Sequence, residues 1–175
     1  MNKTNVKTKD KFDSPNSIRI GIVTVSSTRD LADDESGNMI KDIAKYHKII
    51  RHNVVPEKKA LIQNEVRDLV ISTMHPVDAI IVNGGTGMMR ADSSIEAVRP
   101  LFEKEFSGFS TLFMMLNYQK VGSPTYIERA TAGVYRGKII YVLPGNPEAC
   151  KLAMEKLIMP ELPDIVNRLS QEWKD

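Results

Sequence analysis

The sequence predicts an α/β fold: a single doubly wound, mostly parallel sheet with one antiparallel strand and helices on both faces. Near-continuous apolar segments alternate with segments whose apolar residues recur at helical spacing, as expected for parallel strands that are covered on both faces. These apolar segments lie at 18–25, 49–55 and 79–82. Later, ATAGVY and KIIYVL are separated only by Arg136 and Gly137, which predicts a hairpin and hence the antiparallel strand.

Two amphipathic helices are predicted between the first three strands. In the first helix, Ile40, Ile43 and Ala44 share one face, and Ser36 stands at the expected N-cap position. The second helix begins near Lys59. Its apolar face consists of Ile62, Val66, Leu69 and Val70.

Helix is also predicted in the second half of the chain, at 95–102 and at 148–158. Between them the segment FSTLFMMLNYQK predicts an irregular helix. Residues 106–116 carry more large apolar side chains than one helix face can bury, so this region is expected to form contacts between copies of the chain. The side chains in question are Phe109, Leu112, Phe113 and Met115.

A chain of 175 residues with 42% hydrophobic content is long enough to bury a core without disulfides. We expect one domain over residues 18–175. Residues 1–17 are polar and lysine-rich, which predicts a flexible tail and argues against a signal peptide.

The one cysteine, Cys150, is predicted to pack in the core, and no apolar run is long enough to span a membrane. These features predict a cytoplasmic protein without a membrane partner.

The charge pattern argues against nucleic acid as a partner. The formal net charge is only +2, and acidic and basic residues are interspersed along the chain. Any anion site must therefore be local, at loops and helix starts. His47, His52 and His75 show no metal-ligand spacing, so a zinc site is not expected.

The most informative loop is NGGTG, which directly follows the third strand. Gly84, Gly85 and Gly87 permit positive φ angles and close approach of backbone amides to an anion, and Thr86 adds a hydroxyl donor. A tight turn without a ligand would use glycine in the same way. The spacing matches neither a Walker loop nor the dinucleotide fingerprint, so both interpretations stay open.

Two further loops are expected at the same edge of the sheet, because ligands of such sheets collect at the carboxyl ends of the strands. The first contains Ser26 and Arg29, whose hydroxyl and guanidinium groups can bind phosphate, although such clusters are also common in turns. The acidic run 33–35 that follows is interpreted as solvated. The other loop is rigid and precedes the last helix, whose free amides can face an anion; it consists of Pro144, Gly145, Asn146 and Pro147.

Two acidic residues are candidate metal ligands. Asp92 precedes the helix predicted at 95–102, so it either caps that helix or supplies a hard oxygen ligand for Mg²⁺ beside a nucleotide. Glu57 follows the second strand and is an exposed acid unless a ligand lies beside it.

Together these motifs resemble the family of molybdenum cofactor biosynthesis protein B and molybdopterin adenylyltransferase. The likeness is carried by TVSSTR and DDESG, NGGTG with Asp92, RATAGV from Arg129, and LPGNPEAC, in that order. The resemblance implies that residues 18–175 form a molybdopterin-binding domain that assembles as a homotrimer or homohexamer. It also implies that the molybdopterin phosphate attacks the α-phosphorus of Mg-ATP, which releases pyrophosphate.

Matched to the family pattern, Asp92 falls on the essential acid and Glu57 falls where active members carry Asp. Both are therefore expected to be catalytic and to hold Mg²⁺. The resemblance also implies a set of residues that bind molybdopterin and nucleotide. This set is Ser26, Arg29, Ser36, Gly84, Gly85, Thr86, Gly87, Arg129, Pro144, Gly145, Asn146 and Pro147.

The sequence departs from the family pattern at several positions. Ala91 occupies the place of an Arg directly before the acid, Glu57 is one methylene longer than the usual Asp, and Ser27 and Glu128 replace other polar residues. The departures at Ala91 and Glu57 support a second hypothesis, a non-catalytic pterin-binding protein of the same pathway. A domain that acts on another nucleotide is a third hypothesis, because wider relatives of this fold share the two glycine-containing loops.

Overall fold

A computed structural model describes residues 17–173, so the tail expected at 1–17 lies outside the described residues except for Ser17. Six strands form one sheet. They are β1 (Arg19–Val25), β2 (Lys48–Val55), β3 (Ala79–Asn83), β4 (Lys104–Glu105), β5 (Thr131–Tyr135) and β6 (Lys138–Leu143). The helices are α1 (Glu35–Ile43), α2 (Lys59–Ile71), α3 (Ser94–Val98), α4 (Ser107–Val121), α5 (Pro147–Ala153) and α6 (Met159–Glu172).

The strand order is β2-β1-β3-β6-β5-β4. Strands β1, β2, β3 and β6 pair in parallel, whereas β5 runs antiparallel to both β6 and β4. The predicted fold class is thereby confirmed, including its one antiparallel strand. Sequence reasoning missed β4, because a two-residue Lys-Glu strand at the surface carries no apolar signal.

Helices cover both faces of the sheet. Apolar side chains from α1, α4, α5 and α6 pack on one face, and those of α2 and α3 pack on the other. Strand β3 lies between these layers, and all five of its residues are buried. Residues 79–82 of this strand are all apolar, with no polar alternation, as a direct consequence of having two covered faces.

The predicted hairpin forms between β5 and β6. Arg136 and Gly137 have φ angles of 49° and 70°, so both central residues of the turn are left-handed, as in a type I′ turn. This turn matches the twist of the two strands that it joins. Only one of the two positions is glycine, so Arg136 holds a conformation that most side chains avoid.

Several helix boundaries differ from those expected. Asp34, not Ser36, is the N-cap of α1, and its side chain accepts from the Gly37 N–H. The helix expected at 95–102 divides into α3 and a 3₁₀ turn, Arg99–Leu101, with Pro100 in its first turn. The helix expected at 148–158 passes through a π turn, Met154–Ile158, into α6.

Segment 109–120 lies within α4, a regular helix of 15 residues. Phe113 is fully buried, and the Phe109 ring packs against Tyr141 with 5.2 Å between centroids. Within residues 17–173, no helix combines the length and the apolar character needed to cross a bilayer.

The close packing of β5 predicts a strong effect of a single methyl group. A Cβ at Gly133 would collide with the Phe102 ring and lie 2.7 Å from the Lys104 carbonyl oxygen. We expect Gly133→Ala to lower the free energy of unfolding by about 1–3 kcal/mol, as overpacking of a core does. Urea denaturation measures this change.

Gly108→Ala is the matched control. No heavy atom lies within 4 Å of a Cβ at this helical position, and alanine favours helix by up to about 1 kcal/mol. The control should be as stable as the native chain or more stable. Equal stability of the Gly133 variant and the control would contradict the packing described for β5.

Candidate functional site

The winding of the chain reverses between β1 and β3. From β1 the chain passes through α1 to β2 on one side, and α2 then returns it to β3 on the other side of β1. At such a switch point the loops after the two strands separate and leave a crevice at the carboxyl ends. A cavity of about 400 Å³ lies there. Its lining residues are Thr24, Val25, Ser26, Thr28, Arg29, Ser36, Glu57, Asn83, Gly84, Gly85, Gly145, Asn146 and Pro147.

One wall of the cavity is the glycine loop after β3. Gly84 and Gly85 have φ angles of 95° and 62°, which most other residues avoid. A Cβ at Gly85 would also lie 2.7 Å from the Ser94 hydroxyl oxygen. The Gly84 N–H donates to the Leu143 carbonyl at 3.0 Å, whereas the Gly85 N–H has no acceptor within residues 17–173. This wall therefore offers a backbone donor to a ligand.

The loop after β1 forms the opposite wall. The Ser26 hydroxyl oxygen accepts from the N–H groups of Thr28 and Arg29 at 3.3 and 3.1 Å, which closes a tight turn and leaves the Arg29 side chain exposed. The Glu57 N–H donates to the Ser27 hydroxyl at 3.3 Å. Ser27 therefore connects the loop after β1 to the loop after β2 and helps to place Glu57 beside the cavity.

The third wall is the loop between β6 and α5. Asn146 caps α5 by accepting from the Glu148 N–H at 3.0 Å. Pro144 is buried behind the cavity, and its carbonyl accepts from the Cys150 thiol at 2.9 Å. Cys150 is buried, as predicted for a packing residue, and burial raises the pKa of its thiol to about 12. This thiol is not activated as a nucleophile.

The floor of the cavity is a buried polar network centred on the Asp34 carboxylate. Asp34 Oδ1 accepts from the Ser36 hydroxyl at 3.2 Å and from the Gly37 N–H at 2.9 Å, and Oδ2 contacts the Thr24 hydroxyl. The Asn83 amide nitrogen donates to the Ser36 hydroxyl oxygen at 2.7 Å. Asp34 is fully buried, so the interpretation of residues 33–35 as a solvated run is wrong at this position.

His52 from β2 completes this network. Its Nε2 lies 2.7 Å from Asp34 Oδ2, and both side chains are almost wholly buried. Burial alone would raise the pKa of Asp34, but the hydrogen bonds from Thr24, Gly37 and His52 outweigh it and hold the pKa below its usual range. Burial lowers the pKa of His52, so we assign a neutral imidazole that donates from Nε2 to an ionised Asp34.

Arg129 and the second half of the NGGTG loop form a separate cluster outside the cavity lining. The Arg129 guanidinium donates to the carbonyls of Thr86 and Gly87, each at 2.9 Å, and pairs with Glu96 at 2.6 Å. Arg129 therefore fixes the backbone of the second half of the glycine loop. The structure brings Arg129 to the loop, but not to the cavity that Ser26, Arg29 and Gly85 line.

Asp92 also binds its own loop. Its Oδ2 accepts from the Met89 N–H at 2.8 Å, and the Asp92 N–H donates to the Met89 carbonyl at 3.0 Å. The N-cap position of α3 is Ser93, so Asp92 does not cap that helix. Among residues 17–173, no three His, Cys, Asp or Glu side chains lie close enough together to hold a metal ion, so neither Asp92 nor Glu57 belongs to such a cluster. Glu57 lines the cavity and Asp92 does not.

Sequence reasoning missed part of the cavity floor. Asn83 is the last residue of β3, Thr24 is the last but one of β1, and His52 lies in β2. The available signal was a polar residue at the end of an otherwise apolar strand, as Asn83 is in IIVN. Asp34 could not be separated from its acidic neighbours, because charge alone does not show which side chain turns inward.

Comparison with known proteins adds a second line of support. Residues 21–164 match the family model described as "Probable molybdopterin binding domain". The chain is 38% identical over 168 residues to the molybdenum cofactor biosynthesis protein B of Bacillus cereus, which covers 94% of this chain and 98% of that protein. The chain belongs to this family. It is a protein of molybdenum cofactor biosynthesis, as the resemblance of its motifs predicted.

Solved structures of the family have the same fold. A crystal structure of a molybdenum cofactor biosynthesis protein B matches with a TM-score of 0.87 and 37% identity, over 91% of this chain and 99% of that one. The tungsten cofactor synthesizing protein MoaB from Pyrococcus furiosus matches with a TM-score of 0.77 and 31% identity, over 89% and 99% of the two chains. The six-stranded sheet and its surrounding helices are thus the common architecture of the family.

The buried carboxylate predicts a pH-dependent effect on stability. Asn at position 34 could still cap α1, but its amide nitrogen would place a donor against the Thr24 hydroxyl and the His52 Nε2–H. We expect Asp34→Asn to lower the free energy of unfolding by about 1–3 kcal/mol at pH 7. Chemical denaturation at several pH values measures the difference.

This difference should shrink as the pH falls below about 4. Because the folded-state pKa of Asp34 is lowered, its stabilising contribution is complete above the unfolded-state pKa and is lost as the pH falls through the folded-state value. Asp33→Asn changes an exposed neighbour and is the control. Equal losses in the two variants would contradict the role of Asp34.

Proposed function

We propose that this protein binds molybdopterin and adenylates its terminal phosphate with Mg-ATP. The main support is the cavity at the switch point, where a glycine loop, a helix start and Arg29 converge. The N–H groups of Gly85 and Gly145 have no acceptor within residues 17–173, so both are available to phosphate oxygens. With a net charge of only +2 for the whole chain, such local donors are what an anion site requires.

The proposed reaction is a nucleotidyl transfer. An oxygen of the pterin phosphate attacks the α-phosphorus of ATP, a new phosphoanhydride bond forms, and the bond to the β-phosphate breaks with release of pyrophosphate. The protein needs to supply positioning and charge neutralisation, because both reacting groups are anions. Arg29 and the backbone amides of the cavity wall are suited to both tasks.

Glu57 at the cavity and Asp92 in the loop after β3 are the carboxylates that would hold a magnesium ion bound mainly by substrate phosphates. Mg²⁺ is usually bound through one or two carboxylates together with phosphate oxygens and water. Glu57 lines the cavity and supplies one carboxylate. Asp92 lies on the glycine loop and is the second proposed ligand. When bound, the ion would neutralise charge on the phosphates.

The second candidate is a non-catalytic pterin-binding protein of the same pathway. One observation favours it: Asp92 Oδ2 is engaged by the Met89 N–H, and Asp92 does not line the cavity. Ala91 and Glu57, where the family pattern has Arg and Asp, point the same way. The two candidates share the binding site and differ in turnover. For either, we propose a cytoplasmic location.

We also propose a homo-oligomer, a trimer or a hexamer, that forms through α4 and the turn after it. Phe109 and Phe113 pack inward, so they do not supply the contact that the sequence suggested for them. Other large apolar side chains of this region are exposed. They are Leu112, Met114, Met115, Tyr118, Val121, Tyr126 and Ile127. A concentration of exposed apolar side chains on one helix and the turn after it is typical of a protein interface.

The catalytic proposal predicts that carboxylate charge controls turnover. We expect Glu57→Gln and Asp92→Asn each to lower pterin-dependent pyrophosphate release by on the order of 100-fold, at a nearly unchanged melting temperature. Asn at position 92 can still accept from the Met89 N–H, so loop structure is retained. The measurement is pyrophosphate release against Mg²⁺ concentration.

Asp42→Asn, at an exposed position of α1, is the control and should match the native protein. Native turnover in the Asp92 variant would leave Asp92 a loop residue. Pterin binding without any pyrophosphate release by the native protein would support the non-catalytic candidate.

The interface proposal predicts a change of assembly state. We expect Leu112→Glu combined with Met115→Glu to convert the oligomer into smaller species, because two buried carboxylates would replace apolar contacts. Sedimentation at micromolar concentration measures the mass. Leu61→Glu changes a leucine of similar exposure on α2 and should leave the assembly intact. A monomeric native protein would refute the proposal.

A further inference from the structure

His52 has no place in the function described so far, although it lies directly under the cavity. Its Nε2 is 2.7 Å from Asp34 Oδ2 and 3.2 Å from the Thr24 hydroxyl oxygen. The ring fits there because residue 37 is glycine: a Cβ at Gly37 would lie 2.6 Å from Nε2. Only 5% of the His52 side chain is exposed, so the ring contacts the network and not the ligand space.

We propose that His52 is a positioning residue for the cavity: its Nε2–H fixes the Asp34 carboxylate, and Asp34 in turn fixes the groups that form the cavity floor. These groups are the hydroxyls of Thr24 and Ser36, which contact Asp34 directly, and the Asn83 amide, which donates to Ser36. Thr24, Ser36 and Asn83 all line the cavity. A shift of His52 would therefore be transmitted to ligand contacts.

The other ring nitrogen makes this role dependent on protonation. His52 Nδ1 is buried and has no hydrogen-bond partner within residues 17–173. In the neutral Nε2–H form this atom is an unpaired acceptor. In the imidazolium it carries a proton with nothing to receive it, which is the more costly arrangement for a buried charged group. Burial also lowers the pKa of His52, which likewise favours the neutral imidazole.

Among the residues that the structure describes, two charged groups face the imidazole, both from the segment that contains α1. Asp34 favours the imidazolium, and Lys41 opposes it. Strand β1 contributes only the uncharged Thr24 hydroxyl. Because burial and Lys41 prevail over Asp34, the neutral form persists below the ordinary histidine pKa of about 6.5. Protonation at still lower pH is expected to disturb the floor and weaken ligand binding.

The first test needs no ligand. Nitrogen-15 NMR of the imidazoles in the native protein at pH 7.5 should show His52 as the neutral Nε2–H tautomer. The side-chain amide resonances of Asn83 should shift in His52→Leu and stay near their native positions in His52→Gln, because the Gln amide can donate to Asp34. An Nδ1–H tautomer, or unmoved Asn83 resonances in His52→Leu, would overturn the proposal.

The second test measures the dissociation constant of Mg-ATP by calorimetry between pH 5 and pH 8, and it rests on the proposed nucleotide binding. At pH 7.5 we expect binding about tenfold weaker in His52→Leu, the equivalent of one lost hydrogen bond, and nearly native binding in His52→Gln. Protonation of the nucleotide's terminal phosphate weakens binding toward pH 5 in every variant, so native affinity should fall more steeply than the affinity of His52→Gln.

His75→Gln, which removes an exposed histidine, is the control and should keep the native pH profile. The same acidic loss in His52→Gln as in the native protein would refute the pH dependence of His52. If the native protein binds no Mg-ATP at any pH, nucleotide binding fails as part of the proposed function, and the NMR test alone decides the role of His52.

Discussion

A single buried carboxylate organises the edge of the sheet at which the cavity lies. An ionised Asp34 without exposure to solvent is tolerated only when hydrogen bonds replace its hydration. Those bonds come from Thr24 of β1, Gly37 of α1 and His52 of β2, so satisfying one charge fixes three elements relative to one another. Asn83 connects β3 to the same network through Ser36. The floor of the cavity is thus a consequence of burying one charge.

The anion binding proposed for this cavity would depend on individual donor groups in its walls. The chain has 24 basic and 22 acidic residues, so its net charge supplies little general attraction for a phosphate. Of the two arginines expected in the site, Arg29 lines the cavity, whereas Arg129 is used to hold the carbonyls of Thr86 and Gly87. Because Arg129 already donates hydrogen bonds to these carbonyls, the loop conformation does not depend on a bound ligand. Preformed donors of this kind lower the cost of ordering a site on binding.

The sequence predicted the fold well because its strongest signals are physical requirements of a covered parallel sheet. Strand β3 is apolar up to its last residue because both of its faces are buried, and the two-residue Arg136–Gly137 turn requires the two strands that it joins to pair as an antiparallel hairpin. The expected positions of the loops after β1, β3 and β6 also followed, because parallel strands place their carboxyl ends together. Strand β4 and the π turn were not predicted, since backbone geometry set by tertiary packing leaves no periodic signal in so few residues.

The sequence predicted which backbone segments form the site, but not the directions in which their side chains point. Glycine positions show where the chain approaches itself closely, and Gly84 and Gly85 do have positive φ angles. The identity of a polar residue does not show which hydrogen-bond partner it will have in the folded protein. Ser36 binds Asp34 in the cavity floor and does not cap α1, and Asp92 accepts a hydrogen bond from its own loop. His52 fits against Asp34 because Gly37 has no side chain to block the ring. The Asn83–Ser36 and His52–Asp34 contacts join residues distant in sequence, which a local pattern cannot show. In a buried network the placement of one polar group decides the partners of the others.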